Sequence, residues 1–494
     1  MSKKVIVVGG GIAGLTAGIY AQRCGFETTV LESHAIAGGN CTSWKRGGYL
    51  FEGGMHWLTG SAENTMLHKV WRAVGALSPG VAVRTDEPYL TYACGDVPIR
   101  LYRDIDATER HFLELSPGDA AEIKKLCGNV RKVRNLTMPV ADLRGVRVTK
   151  KARVPFSLLT SALSAFRMMK TLSKIPRERY LNRFKHEGLR DLLRACTTEQ
   201  SGITPFCFTM GILAQGDGGF PEGGSLPFVG RIAKKLQAMG GKLLCDTRVD
   251  RVAVKDGKAA GVLVRGKRLP ADAVIIATDT MLAGDLFDPP LHAPWLARMR
   301  KVTKPTMATF VSLGVDADLT GYAHGLIFKL SAPVAIGAQA HEYLTVNNYA
   351  ADPDFSPEGK SAITVILDGD TYDFWKQAKL DGAYAREKQA LAGRVIEALA
   401  AHIPEMRGKV EVSDVATPLT YERYCGTWKG SWMTEMAPNM NMKRYPCTVE
   451  GISGVYFAGQ RIMPPGGLPV ALMTGRTAVQ HLCRDTDTVF ISEE

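Results

Sequence analysis

The stretch Lys3 to Gly39, KKVIVVGGGIAGLTAGIYAQRCGFETTVLESHAIAGG, decides the fold of this chain. Its apolar β-branched run at 5–8 predicts a short buried strand, and the segment that follows predicts a helix. Gly9, Gly11 and Gly14 between them form a G-x-G-x-x-G motif. The first glycine allows a tight turn, the second lets backbone approach a pyrophosphate, and the third lets helix and strand pack closely. The pyrophosphate would sit on the helix N-terminus, where free N–H groups and the helix dipole favour an anion.

An acidic residue stands where a nucleotide site needs one. A second strand, predicted over 27–31, ends at Glu32, which lies 18 residues past Gly14. A carboxylate at about this distance accepts a hydrogen bond from a ribose hydroxyl. Motif, strands, helix and acid together predict a nucleotide-binding βαβ unit, and the alternative is an ordinary βαβ unit with a glycine-rich turn. Gly38 and Gly39 resemble the second glycine pair of FAD enzymes of the glutathione-reductase type, which favours FAD over NAD.

Composition and cysteine use indicate a globular protein. The chain has 494 residues, of which 45% are apolar and 22% charged, enough for two or more domains. Its ten cysteines include no C-x-x-C pair and no Cys/His group with zinc spacing, so we expect reduced thiols, no metal site and a cytoplasmic location. No stretch of about 18 apolar residues is present, so we expect no membrane span. The glycines in the first apolar run argue against a targeting signal.

The net charge of +12 is concentrated in one region. The segment 124–194 holds 19 Lys/Arg and four acidic residues, a net charge of +15, so the rest of the chain carries −3. Within it, 154–172 predicts an apolar helix with basic flanks, which suits the surface of an anionic membrane. The alternative is a core helix with solvated ends. Because the segment contains no recognisable nucleic-acid module, we expect peripheral membrane contact and no nucleic-acid partner.

Two later segments again predict short buried strands and a helix, as the first segment does. The segment 217–288 predicts a helix at 227–239 and strands at 249–254 and 273–277. Near the end, 455–458 predicts a strand, and a proline/glycine loop precedes a helix that begins near Pro469. The two long segments between these parts read as a different unit.

Several blocks together carry a family resemblance. In chain order they are GGGIAGL, the AGG after Glu32, GGSLPFV…VDRV, ATPLTYERY at 416–424 and GVYFAGQ…GGLPVALMTGR. In this order they resemble the phytoene-desaturase-like flavoproteins, which include bacterial carotenoid desaturases, carotenoid cis–trans isomerases and retinol saturase. The resemblance implies an α/β, glutathione-reductase-type (Rossmann-like) FAD-binding domain built from 1–75, 217–288 and 446–494. It also implies a mixed α+β substrate domain built from 76–216 and 289–445.

The resemblance assigns cofactor roles by position. The glycine motif would hold the pyrophosphate, Glu32 the adenosine ribose, and the backbone of Val249 would pair with adenine. Gly459 would approach the phosphate or ribityl chain, and the helix from Pro469 would direct its positive end at the isoalloxazine N1–C2 edge. The expected FAD-binding residues are Gly9, Gly11, Ala13, Gly14, Glu32, Gly38, Gly39, Asn40, Val249, Gly459, Gln460, Gly467 and Val470.

Two positions depart from the wider superfamily. Asn40 stands where many relatives have Arg, and Gln460 where many have Asp. Gln460 can still hydrogen-bond ribityl hydroxyls, and this change resembles the retinol-saturase and isomerase side of the group more than bacterial phytoene desaturases. The implied activity is desaturation, saturation or isomerisation at a C–C or C=C bond of a long hydrophobic, isoprenoid substrate. No second G-x-G-x-x-G lies in mid-chain, so electrons must pass through another carrier, oxygen or a quinone.

Side chains beside the flavin are harder to choose from sequence. His56 follows Gly53-Gly54 and is a candidate catalytic group, with a structural histidine as the alternative. Four further side chains are expected to line an apolar substrate tunnel or, alternatively, to pack in the core: Trp57, Trp428, Trp432 and Met473.

Two other functions stay open. A flavin amine oxidase would want aromatic residues around its amine, whereas the loop GGLPVALM offers small and aliphatic ones. A non-enzymatic prenyl carrier of the GDP-dissociation-inhibitor type shares the architecture without using FAD, and the intact glycines and Glu32 argue against it.

Overall fold

The computed structural model describes residues 2–93, 97–152, 156–199, 202–435 and 444–492. Arg153, Val154 and Pro155, counted above with the basic apolar segment, lie outside these ranges. The α-helices are Ile12–Arg23, Met66–Ala73, Ile105–Leu115, Ala120–Val133, Phe156–Leu172, Arg177–Leu181, Glu187–Ala195, Thr204–Leu213, Ser225–Ala238, Pro294–Val302, Tyr372–Leu380, Tyr384–His402, Pro418–Cys425 and Leu468–Asp485. None of these helices in the described ranges is long and apolar enough to cross a bilayer.

The first sheet, here called the nucleotide sheet, has a parallel centre. Its central strands run in the spatial order Ile452–Phe457, Ala273–Ile276, Lys4–Val8, Glu27–Leu31 and Lys242–Leu244. Helices Ile12–Arg23, Ser225–Ala238 and Leu468–Asp485 cover one face of it, which explains why its strands are nearly continuous apolar runs. The α/β fold class expected from sequence is therefore confirmed.

An antiparallel meander extends this sheet and covers its other face. Its strands are Arg251–Lys255, Lys258–Val264 and Lys267–Leu269, and a short strand, Thr448–Val449, pairs with Ile452–Phe457. The strand predicted from 249 begins two residues later, at Arg251. The preceding loop is held elsewhere, because the Thr247 N–H donates to the Glu32 carbonyl at 2.7 Å.

The second large sheet is almost entirely antiparallel. Its strands run in the order Val410–Ala416, Ala308–Val315, Ser361–Asp368, Gln339–Asn348, Gly325–Ile336, Leu90–Ala93 and Ile99–Leu101. Helix Tyr384–His402 packs on one face through buried side chains such as Leu391, Val395 and Leu399. Three two-stranded ribbons complete the described strands: Ser43–Arg46 with Tyr49–Glu52, Val83–Arg84 with Phe220–Pro221, and Pro305–Thr306 with Met433–Thr434.

A helical lobe between residues 105 and 213 forms its own apolar core. Helix Ala120–Val133 is its centre and packs against Thr204–Leu213 and Phe156–Leu172. The nucleotide sheet takes all its strands from 4–31, 242–276 and 448–457, one group from each segment assigned to the cofactor domain. The domain boundaries themselves stay a prediction.

Candidate cofactor and substrate cavity

A cavity of about 780 Å³ is lined by the nucleotide sheet loops, the helical lobe and the second sheet. This volume lies within the range of small-molecule and cofactor sites. The structure brings most of the expected residues to its wall: Gly9, Gly11, Ala13, Glu32, Gly38, Gly39, Asn40, His56, Trp57, Trp432, Gly459, Gln460, Gly467, Val470 and Met473. Gly14, Val249 and Trp428 lie outside this lining.

The three residues outside the lining have other contacts. Gly14 packs the first helix onto the first strand, because a Cβ atom there would overlap the carbonyl oxygen of Gly9. Val249 is buried in the apolar cluster on the meander side of the nucleotide sheet. Trp428 lies under the guanidinium of Arg461, 5.8 Å from the ring centroid. Their expected contacts with cofactor or substrate stay predictions.

The glycine loop leaves its side of the cavity free of side chains. Gly11 pairs with Gly38 as an isolated bridge, and the Gly38 N–H donates to the Gly10 carbonyl at 2.9 Å. Gly38 and Gly39 have φ values of +136° and +59°, which favour glycine. A Cβ atom at Gly11 would lie 3.7 Å from the nearest protein atom, so a side chain there would not clash with the protein. The space that glycine leaves free belongs to the cavity. We call this part, with Glu32 and Gly459, the glycine end.

The Glu32 carboxylate is oriented by the loop that it faces. Its Oε2 accepts from the Gly10 N–H at 2.7 Å, and its Oε1 accepts from the His34 N–H at 2.8 Å. Oε1 also accepts from the Ser33 hydroxyl at 3.2 Å, so the second lone pair of Oε2 is the one left for a ribose hydroxyl. The role in ribose binding stays a prediction with a suitable geometry.

The C-terminal helix begins at the same cavity. Its cap residue Gly467 supplies no side-chain cap to Leu468–Asp485, and the first turn lines the wall. Free N–H groups at a helix start favour an anion or a developing negative charge. The Gln460 Oε1 accepts from the Gly467 N–H at 3.0 Å, and the Thr474 hydroxyl accepts from the Gly459 N–H at 3.0 Å. These bonds fix the loop that carries the helix start.

Unpartnered polar atoms are concentrated at this cavity. Across the described part of the chain, five side chains of the cavity wall have a buried polar atom with no hydrogen-bond partner: Asn40 Oδ1, Thr278 Oγ1, Thr280 Oγ1, Thr427 Oγ1 and Trp432 Nε1. A buried polar atom left unpaired costs about 1–3 kcal/mol. The set therefore fits a polar ligand that would satisfy these groups, and with the open glycine loop it fits FAD.

A buried ion pair that sequence analysis missed forms part of the wall. Asp279 follows strand Ala273–Ile276, and Arg461 follows Ile452–Phe457. The Arg461 guanidinium donates to both Asp279 oxygens, at 2.7 and 2.9 Å, and the two side chains are only 2% and 3% exposed. No local motif could have identified this pair, since 182 residues separate its members.

The other part of the cavity, here called the apolar end, is lined by the helical lobe. Its side chains come from helices Ala120–Val133 and Thr204–Leu213 and from the turn after the first of them: Val133, Leu136, Met138, Phe208 and Ile212. Trp57 and Phe310 also line the cavity. Such a surface favours an apolar ligand, because its burial removes hydrocarbon from water.

His56 lines the cavity as a neutral group. Its ring stacks on Phe310 at 5.9 Å, and Nδ1 lies 3.3 Å from the Asn347 amide nitrogen. Burial, together with the nearby charge of His324, lowers its pKa to about 4. An imidazole that is neutral at pH 7 accepts or donates a hydrogen bond but carries no charge to an intermediate.

Each carboxylate of the cavity wall that the structure describes accepts hydrogen bonds from the protein, but only Asp279 forms an ion pair among the described residues. Asp217 accepts from the backbone N–H groups of Gly60 and Ala62 and from the Ser61 hydroxyl, at 2.8–3.1 Å. Asp279 and Glu32 have the partners given above. Among the described residues, Glu32 and Asp217 accept from neutral donors only.

Comparison with known proteins shows which family the sequence matches and which solved structures share its fold. The family described as flavin containing amine oxidoreductase matches residues 12–483. Prolycopene isomerase 2 of an Oncidium hybrid cultivar is 22% identical over 513 residues, which cover 97% of this chain and 84% of the isomerase. The all-trans-retinol 13,14-reductase of Danio rerio is 22% identical over 478 residues, covering 86% and 76% respectively. The solved structure of cyclohexylamine oxidase from Brevibacterium oxydans superimposes with a TM-score of 0.59 at 16% identity, covering 99% and 100%.

Proposed function

The chain belongs to the family of flavin containing amine oxidoreductases and is an FAD-dependent oxidoreductase, and from this premise we propose which bond it acts on. The proposed reaction is a desaturation, saturation or isomerisation at a C–C or C=C bond. The proposed substrate is a long hydrophobic molecule of the isoprenoid class, similar to a carotenoid or retinoid. Relatives named as a prolycopene isomerase and a retinol reductase support this class, and the direction of the reaction stays open.

One observation carries the proposal: the glycine end and the apolar end belong to the same cavity. A cofactor at the glycine end would leave the apolar wall of the helical lobe for a second, water-poor ligand. The described side chains of the apolar end, such as Phe208 and Ile212, offer hydrocarbon contacts and no charge to an amine. This favours an uncharged hydrocarbon substrate over the amine-oxidase alternative.

The residues of this chain would bind, orient and exclude water. The glycine loop and Glu32 would hold the nucleotide part of FAD, and the start of helix Leu468–Asp485 would stabilise negative charge beside it. Bound FAD supplies hydride transfer, while the protein supplies orientation and dryness. His56 would donate or accept a single hydrogen bond from the wall as a neutral imidazole.

The proposal is tested anaerobically with the flavin as reporter. Oxidised and reduced enzyme are mixed separately with carotenoids, retinol, other polyprenoids, unsaturated lipids and a panel of amines. Only with the polyenes do we expect flavin bleaching or reoxidation, a desaturated or saturated product detected by mass, or an isomer detected by retention time. Flavin reduction by amines, with no product from the lipids, would establish the amine-oxidase alternative.

We also propose that the substrate enters from an anionic membrane surface. Helix Phe156–Leu172 buries Leu158, Ala165, Met168 and Leu172, whereas Phe156, Leu163 and Phe166 are 78%, 53% and 64% exposed. At 100° per residue these three fall on one side of the helix, and we call them the apolar stripe. Residues 143–177 hold nine Lys/Arg and no acidic residue, and exposed Lys170 and Lys174 follow the stripe. An apolar stripe with basic neighbours is typical of interfacial helices.

The position of the stripe suits delivery of a lipid-soluble substrate. Helix Phe156–Leu172 packs on Ala120–Val133, whose last residue, Val133, lines the apolar end together with Leu136. A protein docked through the stripe would hold the apolar end close to the bilayer.

A further inference from the structure

We propose that Asp279 and Arg461 are positioning residues that hold segment 428–434 against bound FAD, so that Trp432 donates its indole N–H to the cofactor. The inference goes beyond the substrate proposal, because it depends only on FAD binding. Besides neutralising each other, Asp279 and Arg461 form further hydrogen bonds to the backbone and to Ser431.

The pair joins three parts of the chain that are distant in sequence. Asp279 follows a central strand of the nucleotide sheet and accepts from the backbone N–H groups of Met281 at 3.0 Å and Trp428 at 2.9 Å. Arg461 follows the neighbouring strand and donates to the Ser431 hydroxyl at 2.6 Å and to the Ser431 carbonyl at 3.3 Å. The third part, 428–434, is thus tied to the nucleotide sheet from both members of the pair.

Further bonds hold the same segment from other directions. Arg461 also lies 3.4 Å from the Met433 carbonyl, and the Asn40 amide donates to the Ser431 carbonyl at 3.4 Å. The backbone N–H of Trp432 donates to the Thr306 carbonyl at 3.0 Å. The backbone of the segment is therefore fixed, and with it the place of the Trp432 side chain in the cavity wall.

The Trp432 indole has a hydrogen-bond donor that a bound ligand could satisfy. Its Nε1 is buried, has no partner among the residues that the structure describes, and belongs to a side chain lining the cavity. An indole N–H is a donor only, so it needs an acceptor. The carbonyl, ring-nitrogen, hydroxyl and phosphate groups of FAD offer acceptors, whereas a hydrocarbon substrate offers none.

A second buried ion pair supplies a matched control. Arg476 and Asp142 lie 2.6 Å apart with side chains 3% and 13% exposed, and neither residue lines the cavity. Removing one charge from either pair leaves a buried charge without compensation, so both changes destabilise the fold. Only the Asp279 change should also disturb the cofactor.

The experiment compares D279N, D142N and W432F by FAD titration of apoprotein, flavin absorption and thermal melting. We expect W432F to weaken FAD binding about tenfold and to shift the flavin spectrum, with the melting temperature of the apoprotein unchanged. We expect D279N to lower both stability and FAD affinity, and D142N to lower stability alone. The proposal is overturned if W432F binds FAD like the wild type with an unshifted spectrum. It is equally overturned if D279N and D142N change FAD affinity to the same extent. Neither outcome depends on the substrate.

Discussion

The two ends of the cavity are built in opposite ways. At the glycine end the wall is mostly backbone, and its key property is the absence of side chains at Gly9, Gly11, Gly38 and Gly39. At the apolar end the wall consists of large side chains from helices of the lobe, such as Phe208 and Ile212. A wall made of glycine backbone can accept few substitutions, because any side chain would enter the cavity. A wall made of side chains can change shape by one substitution at a time. The glycine end should therefore tolerate substitution least, and the apolar end should set which molecule is accepted.

The strongest test of this difference is Gly11→Val. The first atom of the new side chain has room against the protein, so the fold should persist, but the side chain would occupy the cavity where the pyrophosphate is expected. We expect FAD affinity to fall more than about 100-fold, since the side chain displaces phosphate contacts. Gly230→Ala is the control, because a Cβ atom there meets no other atom within 4 Å and lies outside the cavity wall. Full flavin occupancy in Gly11→Val would contradict the role of the glycine loop.

Met473→Phe tests whether the C-terminal helix serves the substrate as well as the cofactor. Met473 lines the cavity one turn beyond the helix start, so a bulkier side chain should narrow the space for substrate. We expect turnover of a responsive polyene to fall more than about tenfold, as overpacking is costly in a shaped cavity. Flavin content and absorption should stay unchanged. If flavin is lost instead, Met473 belongs to the glycine end and the comparison must be redrawn.

The apolar stripe is tested by Phe166→Ser with anionic and neutral vesicles. In the docked protein the Phe166 side chain would insert into the membrane interface. Its removal should therefore weaken co-sedimentation with anionic vesicles about tenfold. Leu380→Ser is the matched control, because Leu380 is 73% exposed on a helix where Asp373 and Asp381 balance the two neighbouring lysines. Binding should also weaken as salt is raised, since the basic neighbours act through a screened field. Equal loss in the two variants would remove the special role of the stripe.

The smallest expected effect concerns His56 and pH. The folded pKa is about 4 and the ordinary value is 6.5, so the unfolded chain takes up a proton that the folded protein rejects. Stability from the neutral ring is thus present above pH 6.5 and lost as the pH falls toward 4. We expect the apoprotein melting temperature to fall over this range by about 2 °C more in the wild type than in His56→Phe. The exposed His292→Ala should behave like the wild type, and parallel pH profiles for wild type and His56→Phe would contradict the assignment.

Sequence analysis was informative wherever function depends on local spacing. The strand and helix bounds around the glycine motif and Glu32 follow from residues close together in the chain, and the structure agrees with those bounds. The strand expected from Val249 starts late because long-range hydrogen bonds to Glu32 and His34 hold the loop before it. A spacing rule contains no information about such contacts.

Long-range pairs and cavity walls could not be predicted in this way. The Asp279–Arg461 pair brings together two charges that have no motif in common. Phe208 and Ile212 lie on a helix whose apolar pattern is the same for a packed core and for the wall of a cavity. Trp428 and Trp432 are four residues apart and looked equivalent, yet only Trp432 reaches the cavity. The difference is the Arg461 guanidinium, which comes from another part of the chain.

The strand order of the nucleotide sheet also has a consequence for synthesis of the chain. Strand Ile452–Phe457 pairs with Ala273–Ile276, so the sheet stays incomplete until residue 457 has left the ribosome. Domains with many distant pairings fold slowly and expose apolar strands meanwhile. The helix that starts at Leu468 is made later still. A cofactor held between this sheet and that helix could stabilise the chain only after Leu468–Asp485 has been made, and until then Lys4–Val8 and Ala273–Ile276 must be protected from aggregation.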